Sequence, residues 1–384
     1  FIPFCALSAT KGMVIKMKFT CEKYLLQAAV ATTSRAAASK SPNPALEGLL
    51  IEAVDGVKIT GYDLIKGIYT NFAADVAEPG SVIISARLFD SIIRSLPDDI
   101  VTVSTDDNNM TRITCGHSDF SIMGMFSESY PELPSVEHQK AVSIPQKTMK
   151  EMINQTIFAV SDNEARPVYT GALFEIEGNK LTVVAVDGYR LALRREIPES
   201  SDMNDCSFIA PGTALSDLEK MCSDADETVK IVVGNKHISF SVGNCVLITR
   251  RLEGDFLDYK KAIPTEYYYK IKADRAKLLK AVDRVSLIID DRIKNPLRCI
   301  FGKNKLSMYC ATAIGKGEDV CEYEGDGANL EIGFNNRYLQ DALKAAPAEK
   351  IEICLNSGSS PCVIVPENGS DKFLYMILPV RLKA

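Results

Sequence analysis

Apolar residues recur every three to four positions in three segments that share one pattern and one spacing. The segments are Ile84–Leu96 (ISARLFDSIIRSL), Ile209–Met221 (IAPGTALSDLEKM) and Phe334–Ala346 (FNNRYLQDALKAA), and their first residues, 84, 209 and 334, lie 125 apart each time. Equivalent positions hold the pairs Phe89 and Ile93, Ala214 and Leu218, and Leu339 and Leu343. A spacing of four puts each pair on one helical face. The pattern predicts three equivalent amphipathic helices, each followed by a short β-rich run: Ile100–Val103, Val229–Val233 and Lys350–Leu355.

Other segments recur at nearly the same spacing. A further helix is predicted at the start of each repeat: Lys23–Ala37, Lys147–Ser161 and Asp274–Ile289. Each of these is followed by two apolar runs around a turn signal, which predicts hairpins at Asp55-Gly56, at Gly178-Asn179 and near Gly302–Asn304. Tight hairpins join antiparallel strands, so the predicted fold class is α+β with antiparallel sheet, in three tandem copies. Chance similarity between unrelated α+β segments is the alternative.

Composition limits the class of protein without naming a function. The chain has 384 residues, 46% of them hydrophobic, which is enough for two or three cores. It contains no apolar run long enough to span a bilayer. Eleven cysteines without a CxxC pair fit free thiols in a reducing cytoplasm. Residues 1–16 lack the features of a signal peptide and read as a leader or expression remnant before Met17. The predicted domains are 17–138, 139–263 and 264–384.

A search for catalytic chemistry finds little. The three histidines, His117, His138 and His237, have no metal-ligand partner at a useful spacing, and none of the common nucleotide-binding, hydrolase or metalloprotease motifs occurs. Carboxylate pairs at Asp106-Asp107, Asp224/Asp226 and Asp290-Asp291 are typical of caps and solvated turns, with a metal site as the alternative. No cofactor is predicted. A triplicated chain without a focal site favours a scaffold over an enzyme.

The distribution of charge gives a weak indication of contact with a phosphate backbone. The net charge of −6 disfavours an openly basic nucleic-acid binder. Basic residues nevertheless recur on single helical faces, where they are either solvated or contact a phosphate backbone. The middle repeat departs from this pattern, with Gly212 and Glu219 at two of the positions. The basic residues on these faces are Arg87, Arg94, Lys147, Lys150, Lys277, Lys280, Arg284, Arg337 and Lys344.

Four segments give the chain a specific resemblance: TVVAVDGYRLAL (Thr182–Leu193), EGDFLDYKKAIP (Glu253–Pro264), EIGFN (Glu331–Asn335) and YMILPVRL (Tyr375–Leu382). Together with the order of elements, they resemble the bacterial DNA polymerase III beta subunit, the sliding clamp, from Met17 onward. The resemblance implies three clamp domains per chain and a head-to-tail homodimer that closes into a ring around duplex DNA. It implies a non-catalytic processivity factor in the cytoplasm, with no membrane partner.

The implied partners are double-stranded DNA, bound without sequence specificity, and replication proteins that dock through short peptides of the Gln-Leu-x-Leu-Phe type. These proteins are the replicative polymerase alpha subunit, the clamp loader and repair polymerases. Strong phosphate contacts would hinder sliding, so modest basic rows suit a ring better than a uniformly basic surface. By resemblance, Lys40 and Asn163 join the basic residues above as positions that approach DNA.

The resemblance also implies a peptide groove between the second and third domains. Its apolar walls would take Leu and Phe side chains, with Arg190 and Arg381 at the rim. Without the resemblance, the same segments read as ordinary core strands. The implied groove residues are Tyr169, Val186, Gly188, Tyr189, Arg190, Leu191, Leu257, Lys261, Ala262, Pro361, Met376, Ile377, Leu378, Pro379, Val380 and Arg381.

Ring closure needs two different surfaces that fit each other. By resemblance, Phe120 and Ile122 of one chain would meet Leu287 and Ile288 of its neighbour. Two alternatives to the sliding clamp stay open at this point. One is a specialised or inhibitor-resistant clamp paralogue. The other is an unrelated α+β enzyme that uses one of the acidic clusters.

Overall fold

The computed structural model describes residues 17–136, 141–202, 205–225, 227–289 and 295–382. The proposed leader, the predicted boundary at 138/139 and the carboxylates Asp226, Asp290 and Asp291 lie outside these ranges. The described chain divides into two compact units. Unit 1 contains the described residues up to 136 together with Ser239–Thr249. Unit 2 contains the described residues from 141 to Ile238 and from Arg250 to 382.

The first repeat begins with a strand that leads directly into the predicted helix. Its elements are β1 (Met17–Glu22), α1 (Lys23–Thr33), β2 (Gly48–Ala53), β3 (Val57–Tyr62), β4 (Lys66–Phe72), β5 (Asp75–Glu78), β6 (Gly80–Ser85), α2 (Ala86–Ser95), β7 (Ile100–Thr105), β8 (Met110–Cys115) and β9 (Ser118–Met123).

The second repeat has the same order of elements. They are β10 (Ala141–Pro145), α3 (Gln146–Asn154), β11 (Gly171–Glu177), β12 (Lys180–Val186), β13 (Arg190–Glu196), β14 (Ser200–Ser201), β15 (Cys206–Pro211), α4 (Gly212–Met221), β16 (Thr228–Val233), β17 (His237–Val242) and β18 (Cys245–Arg250).

The third repeat follows a one-turn helix. Its elements are α5 (Tyr259–Ala262), β19 (Tyr269–Asp274), α6 (Arg275–Ser286), β20 (Leu297–Thr312), β21 (Gly315–Phe334), α7 (Asn336–Ala345), β22 (Lys350–Leu355), β23 (Cys362–Pro366) and β24 (Phe373–Ile377).

Unit 1 is built from two antiparallel sheets and two helices. One sheet has the strand order β5-β1-β7-β8-β9, so β9 is an edge strand. In the other, β6, β2, β3 and β4 pair in turn, and β18 pairs with β4. Helices α1 and α2 pack against each other. The core combines apolar side chains of both sheets and both helices, among them Leu26, Ile51, Phe89 and Val103, all fully buried.

Unit 2 contains a ten-stranded antiparallel sheet with the order β15-β11-β12-β13-β24-β23-β22-β19-β21-β20. The pairing of β13 with β24, from Arg190 opposite Ile377 to Arg194 opposite Phe373, joins the second and third repeats into one sheet. Helices α3 and α4 pack together, as do α6 and α7. The second strand set of this unit pairs β10 with β14 and β16.

The structure confirms the predicted α+β class with antiparallel sheets in three copies. The equivalent apolar pairs in α2, α4 and α7 are all buried, which is what a shared amphipathic pattern predicts. The helices themselves are shorter than predicted. Lys23–Ala37 ends as a 3-10 turn at Ser34–Ala36, and Lys147–Ser161 is α3 followed by a separate 3-10 turn at Ile157–Ala159.

The hairpin predicted near Gly302–Asn304 is wrong. The segment lies inside β20, a 16-residue strand that turns only after Thr312 and pairs with β21. The register shifts between Phe301 and Lys305, and Asn304 has φ +57°. Gly and Asn supply the conformations of a bulge as readily as those of a turn, which is why the local signal misled. The other two predicted turns, at Gly56 and Gly178, are hairpin turns.

Candidate functional site

An apolar cluster on one face of the unit 2 sheet draws on both the second and the third repeat. We call it the groove cluster. Tyr169, Phe256 and Ala262 pack against it and are partly buried. Five of the predicted wall residues therefore meet here: Tyr169, Val186, Leu191, Ala262 and Met376. The buried members of the cluster are Leu173, Val184, Val186, Leu191, Leu193, Ile209, Tyr259, Cys354, Val363 and Met376.

Strand alternation explains which side chains reach this face. Successive residues of a strand point to opposite faces, and directly paired residues share a face. Leu191 pairs with Met376 across the β13–β24 ladder, and both belong to the groove cluster. Phe256 comes from the irregular segment before α5, and its ring meets that of Tyr169 edge-on at 5.7 Å. Phe256 is not among the predicted groove residues, although it lies within the quoted segment Glu253–Pro264.

The rim of the cluster is more exposed. The Tyr189 residue is 63% exposed and Leu257 39%. Pro361, Leu378 and Pro379 are half-buried. The remaining predicted residues on the exposed side are Gly188, Lys261, Val380 and Arg381.

Two predicted groove residues, Arg190 and Ile377, pair with each other across the ladder and lie outside the groove cluster. Ile377 is 1% exposed. The guanidinium of Arg190 is bound by Asp187 and Asp341, so Arg190 is not a free polar anchor at the rim. Alternation along β13 is the physical reason, because a residue next to Leu191 must face the other way.

Ionisable groups of α5 support the floor of this face. The Tyr259 hydroxyl donates to Glu175 Oε2 at 2.5 Å, and burial, then this carboxylate, raises the pKa of Tyr259. Lys260 Nζ contacts Glu177 at 2.6 Å and Glu175 at 3.1 Å. The hydrogen bond from Lys261 lowers the pKa of Asp258. The contacts of Tyr259 and Lys260 fix α5 against Glu175 and Glu177, which lie on the same face of β11.

A cavity of about 550 Å³ lies beside the groove cluster, between the β11–β15 edge and the segment 251–260. Leu257 lines it and is also a predicted groove residue, and Glu253 and Asp255 contribute carboxylates to its wall. No sequence motif indicates this cavity, since its walls come from several segments that are far apart in the sequence.

The residues proposed to approach phosphate, which are ten basic residues and Asn163, lie on helices and adjoining loops. Lys40, Arg87, Lys147, Asn163, Lys277, Lys280, Arg337 and Lys344 are all exposed. The other three have carboxylate neighbours: Arg94 Nε lies 3.0 Å from Asp90, Lys150 Nζ lies 3.4 Å from Asp224, and Arg284 Nε lies 2.5 Å from Asp319. Exposed pairs of this kind are weak, so they reduce the local positive charge without removing it.

Each unit carries one exposed and one partly buried residue of those implied for ring closure. In unit 1, Phe120 on the edge strand β9 is 37% exposed, and Ile122 packs partly against the core. In unit 2, Leu287 just after α6 is 82% exposed, and Ile288 is half-buried.

The carboxylate pairs show no sign of a metal site where they are described. Asp106 Oδ1 accepts the backbone N–H groups of Asn108 and Met110, which is the capped turn that its sequence predicts. Within the described residues, no group of three or more His, Cys, Asp or Glu could hold a metal ion. Among the same residues, no helix is long and apolar enough to cross a membrane.

Three repeated helix-and-sheet domains, with paired helices carrying basic residues and a sheet face carrying an apolar cluster, define the class of DNA clamps. Comparison with known proteins identifies the family. Family models of the DNA polymerase III beta subunit match its N-terminal domain at residues 17–134, its central domain at 143–258 and its C-terminal domain at 260–381.

Individual relatives agree. The beta sliding clamp of Staphylococcus epidermidis is 34% identical over 377 residues, covering 95% of this chain and 99% of that protein. The crystal structure of the Bacillus subtilis sliding clamp superimposes with a TM-score of 0.91 at 30% identity, covering 96% and 100%. The Pseudomonas aeruginosa clamp bound to griselimycin gives 0.89 at 25% identity, covering 95% and 100%.

The chain therefore belongs to the DNA polymerase III beta subunit family, the bacterial beta sliding clamps. Its function is that of a sliding clamp, the non-catalytic processivity subunit of DNA polymerase III. This excludes the unrelated-enzyme alternative, and the relatives favour the replicative clamp over a specialised paralogue.

Proposed function

We propose that the groove cluster and its rim bind short apolar peptides of replication proteins, so that polymerase and other partners share one site on the clamp. One observation carries the proposal. The β13–β24 pairing brings Leu191 and Met376 into one apolar cluster that is bordered by the half-buried Leu378 and the exposed Tyr189 and Leu257. An apolar cluster with such a border suits Leu and Phe anchors of an extended peptide.

The expected affinity is modest. Two buried anchor side chains contribute roughly 3–6 kcal/mol in total before the cost of ordering the peptide. A peptide with additional polar contacts would then bind at about micromolar Kd. Exchange between the alpha subunit of the replicative polymerase, the clamp loader and repair polymerases requires this kind of weak binding.

Fluorescence polarisation with a labelled peptide carrying Gln-Leu-x-Leu-Phe tests the site. Wild-type protein should bind it at about micromolar Kd, as estimated above. Leu378→Asp places a charge beside the apolar cluster and should weaken binding at least about tenfold, because a desolvated carboxylate is costly there.

The matched control is Ile314→Asp, which adds the same charge at an exposed apolar residue of the β20–β21 turn. It should bind like the wild type. If Leu378→Asp binds as tightly as Ile314→Asp, or if folded wild-type protein binds no peptide, the groove assignment is wrong.

We also propose that two chains close into a ring around duplex DNA in the cytoplasm, with the exposed basic residues of the paired helices towards the phosphates. The exposure of Phe120 on the edge strand β9 and of Leu287 just after α6 supports a subunit contact, since exposed apolar residues otherwise favour aggregation. Few and partly paired basic residues support weak, mobile DNA contact, because each strong phosphate contact adds counterion-release affinity that sliding must break.

A further inference from the structure

Arg190 lies where the second and third repeats meet, and it is bound on several sides. Its Nε donates to Asp187 Oδ2 at 2.9 Å, and its Nη1 donates to Asp341 Oδ2 at 2.6 Å. The guanidinium lies 4.4 Å from the ring centre of Tyr338 and 5.4 Å from that of Phe158. The Arg190 side chain is 10% exposed and that of Asp341 25%, so the pair is shielded from water. Removing one partner of a shielded pair leaves the other charge unpaired.

Asp187 connects this pair to the turn between β12 and β13. Its Oδ1 accepts the backbone N–H groups of Tyr189, at 2.9 Å, and Arg190, at 3.0 Å. Asp and Asn commonly fix turns in this way. Gly188 has φ +92°, a conformation that favours glycine. The turn that presents Tyr189 is therefore held by the same carboxylate that holds Arg190.

The C-terminal segment Leu378–Val380 is attached at both ends. The N–H of Leu378 donates to the carbonyl of Tyr189 at 2.9 Å, and the N–H of Val380 donates to the carbonyl of Gly333 at 2.8 Å. Gly333 belongs to β21, directly before the helix α7 that carries Asp341. Backbone hydrogen bonds of this segment thus connect the Asp187–Arg190 turn to the corner between β21 and α7. The Arg190–Asp341 ion pair connects the same turn to α7 through side chains.

We propose that the Arg190–Asp341 pair is a latch that fixes Leu378–Val380 at the border of the groove cluster. Asp341 lies on the helix α7 and is then a positioning residue for peptide binding, which acts through its bond with Arg190. This inference rests on the proposed function of the groove. Because α7 also carries Arg337 and Lys344, the latch ties the peptide site to a helix proposed to face DNA.

Asp341→Asn tests the latch, since it removes the charge and keeps the shape. It should weaken peptide binding by about 3- to 30-fold, the range typical of residues that act on a site indirectly. It should also speed hydrogen exchange at the amides of Leu378 and Val380, because local opening limits exchange. The matched control is Asp283→Asn on α6, because the Asp283 carboxylate accepts a hydrogen bond from Gln340 Nε2 of α7 at 2.7 Å.

Each result decides one part of the inference. Faster exchange and weaker binding in Asp341→Asn, with Asp283→Asn near the wild type, supports it. Unchanged exchange at Leu378 and Val380, or equal effects of the two variants, overturns it. Faster exchange with unchanged peptide affinity shows that the pair does not position the groove. If the wild type itself binds no peptide, the proposed function fails, while the exchange data still decide whether the latch exists.

Discussion

Phe89, Ala214 and Leu339 occupy equivalent places in α2, α4 and α7, and all three are buried. Their neighbours on the opposite face of α2, such as Arg87, are exposed. At the scale of single residues, the repeat therefore fixes which side chains enter the core, while it leaves side-chain size free to vary among Phe, Ala and Leu. Cores tolerate such changes of size where the total volume and the apolar pattern are kept.

Phe89→Ala should lower the free energy of unfolding by about 3–5 kcal/mol, since it removes a fully buried aromatic ring and leaves a cavity. Urea unfolding followed by circular dichroism measures this. The control is Leu88→Ala at the next, exposed position, for which we expect a change within about 0.5 kcal/mol. Similar losses from both changes would show that α2 does not present this face to the core.

Because of its buried thiols, the free energy of unfolding of the protein depends on pH in the alkaline range. Burial raises the pKa values of Cys21, Cys222 and Cys354 to about 12, and those of Cys299 and Cys362 are raised as well. In the unfolded chain such thiols ionise near pH 8.5, so above that pH the unfolded state binds fewer protons than the folded state. The stability that these thiols contribute is therefore fully present below about pH 8.5 and is lost as the pH rises towards 12.

Urea unfolding in the presence of a reductant should show this loss between pH 8 and pH 10. Each buried thiol contributes a slope of up to about 1.4 kcal/mol per pH unit. Cys222→Ala provides the control, because removing one such thiol should make the pH dependence shallower. A free energy of unfolding that stays constant or rises over this range would contradict the assignment.

At the scale of elements, the same turn signal has two outcomes. Gly178 has φ +58° and joins β11 to β12, whereas the signal at Gly302–Asn304 is a bulge in the long strand β20. Local conformational preference permits both, and the pairing partner decides between them. β20 continues past the bulge because β21 is long enough to pair with it on both sides.

Gly178→Ala should lower the free energy of unfolding by about 1–2 kcal/mol, because the left-handed conformation is unfavourable for alanine. Apart from the two chain neighbours of Gly178, no atom of the described residues lies within 4 Å of the added Cβ, so contact with the rest of the protein does not contribute. Gly178→Asn should cost less, since Asn tolerates this conformation. Thermal unfolding of the three proteins measures the order, and an alanine variant as stable as the wild type would mean that the turn relaxes to another type.

At the scale of the whole molecule, unit 1 and unit 2 each carry an exposed apolar residue that we propose for the contact with a second chain, Phe120 and Leu287. The edge strands β9 and β20 each end a sheet within their own unit. Unpaired edges are normally protected or used for association. Two different edges on one chain fit a heterologous contact, in which each chain uses a different surface from its neighbour. Such contacts form a closed ring only if the rotation between neighbouring chains is a whole fraction of 360°.

Phe120→Asp should convert a two-chain particle into a single chain at micromolar concentration, because it places a charge in an apolar contact. Light scattering coupled to size-exclusion chromatography gives the mass directly. Met123→Asp changes the opposite face of the same strand β9 and should keep the two-chain mass. A wild-type protein with the mass of one chain, or a Phe120→Asp variant with the mass of two, would refute the proposed contact.

The fold class, the triplication and the apolar positions of the repeat helices could be predicted from the sequence, because these depend on periodicity over a few residues. The quoted segments, such as YMILPVRL, also indicated the family. The directions of individual site residues could not be predicted, because they depend on strand pairing. Arg190 and Leu191 are neighbours in sequence, but pairing with β24 directs Leu191 to the groove cluster and Arg190 to Asp341, 151 residues away. Contacts of that length depend on how strands register, and register depends on the packing of the whole sheet.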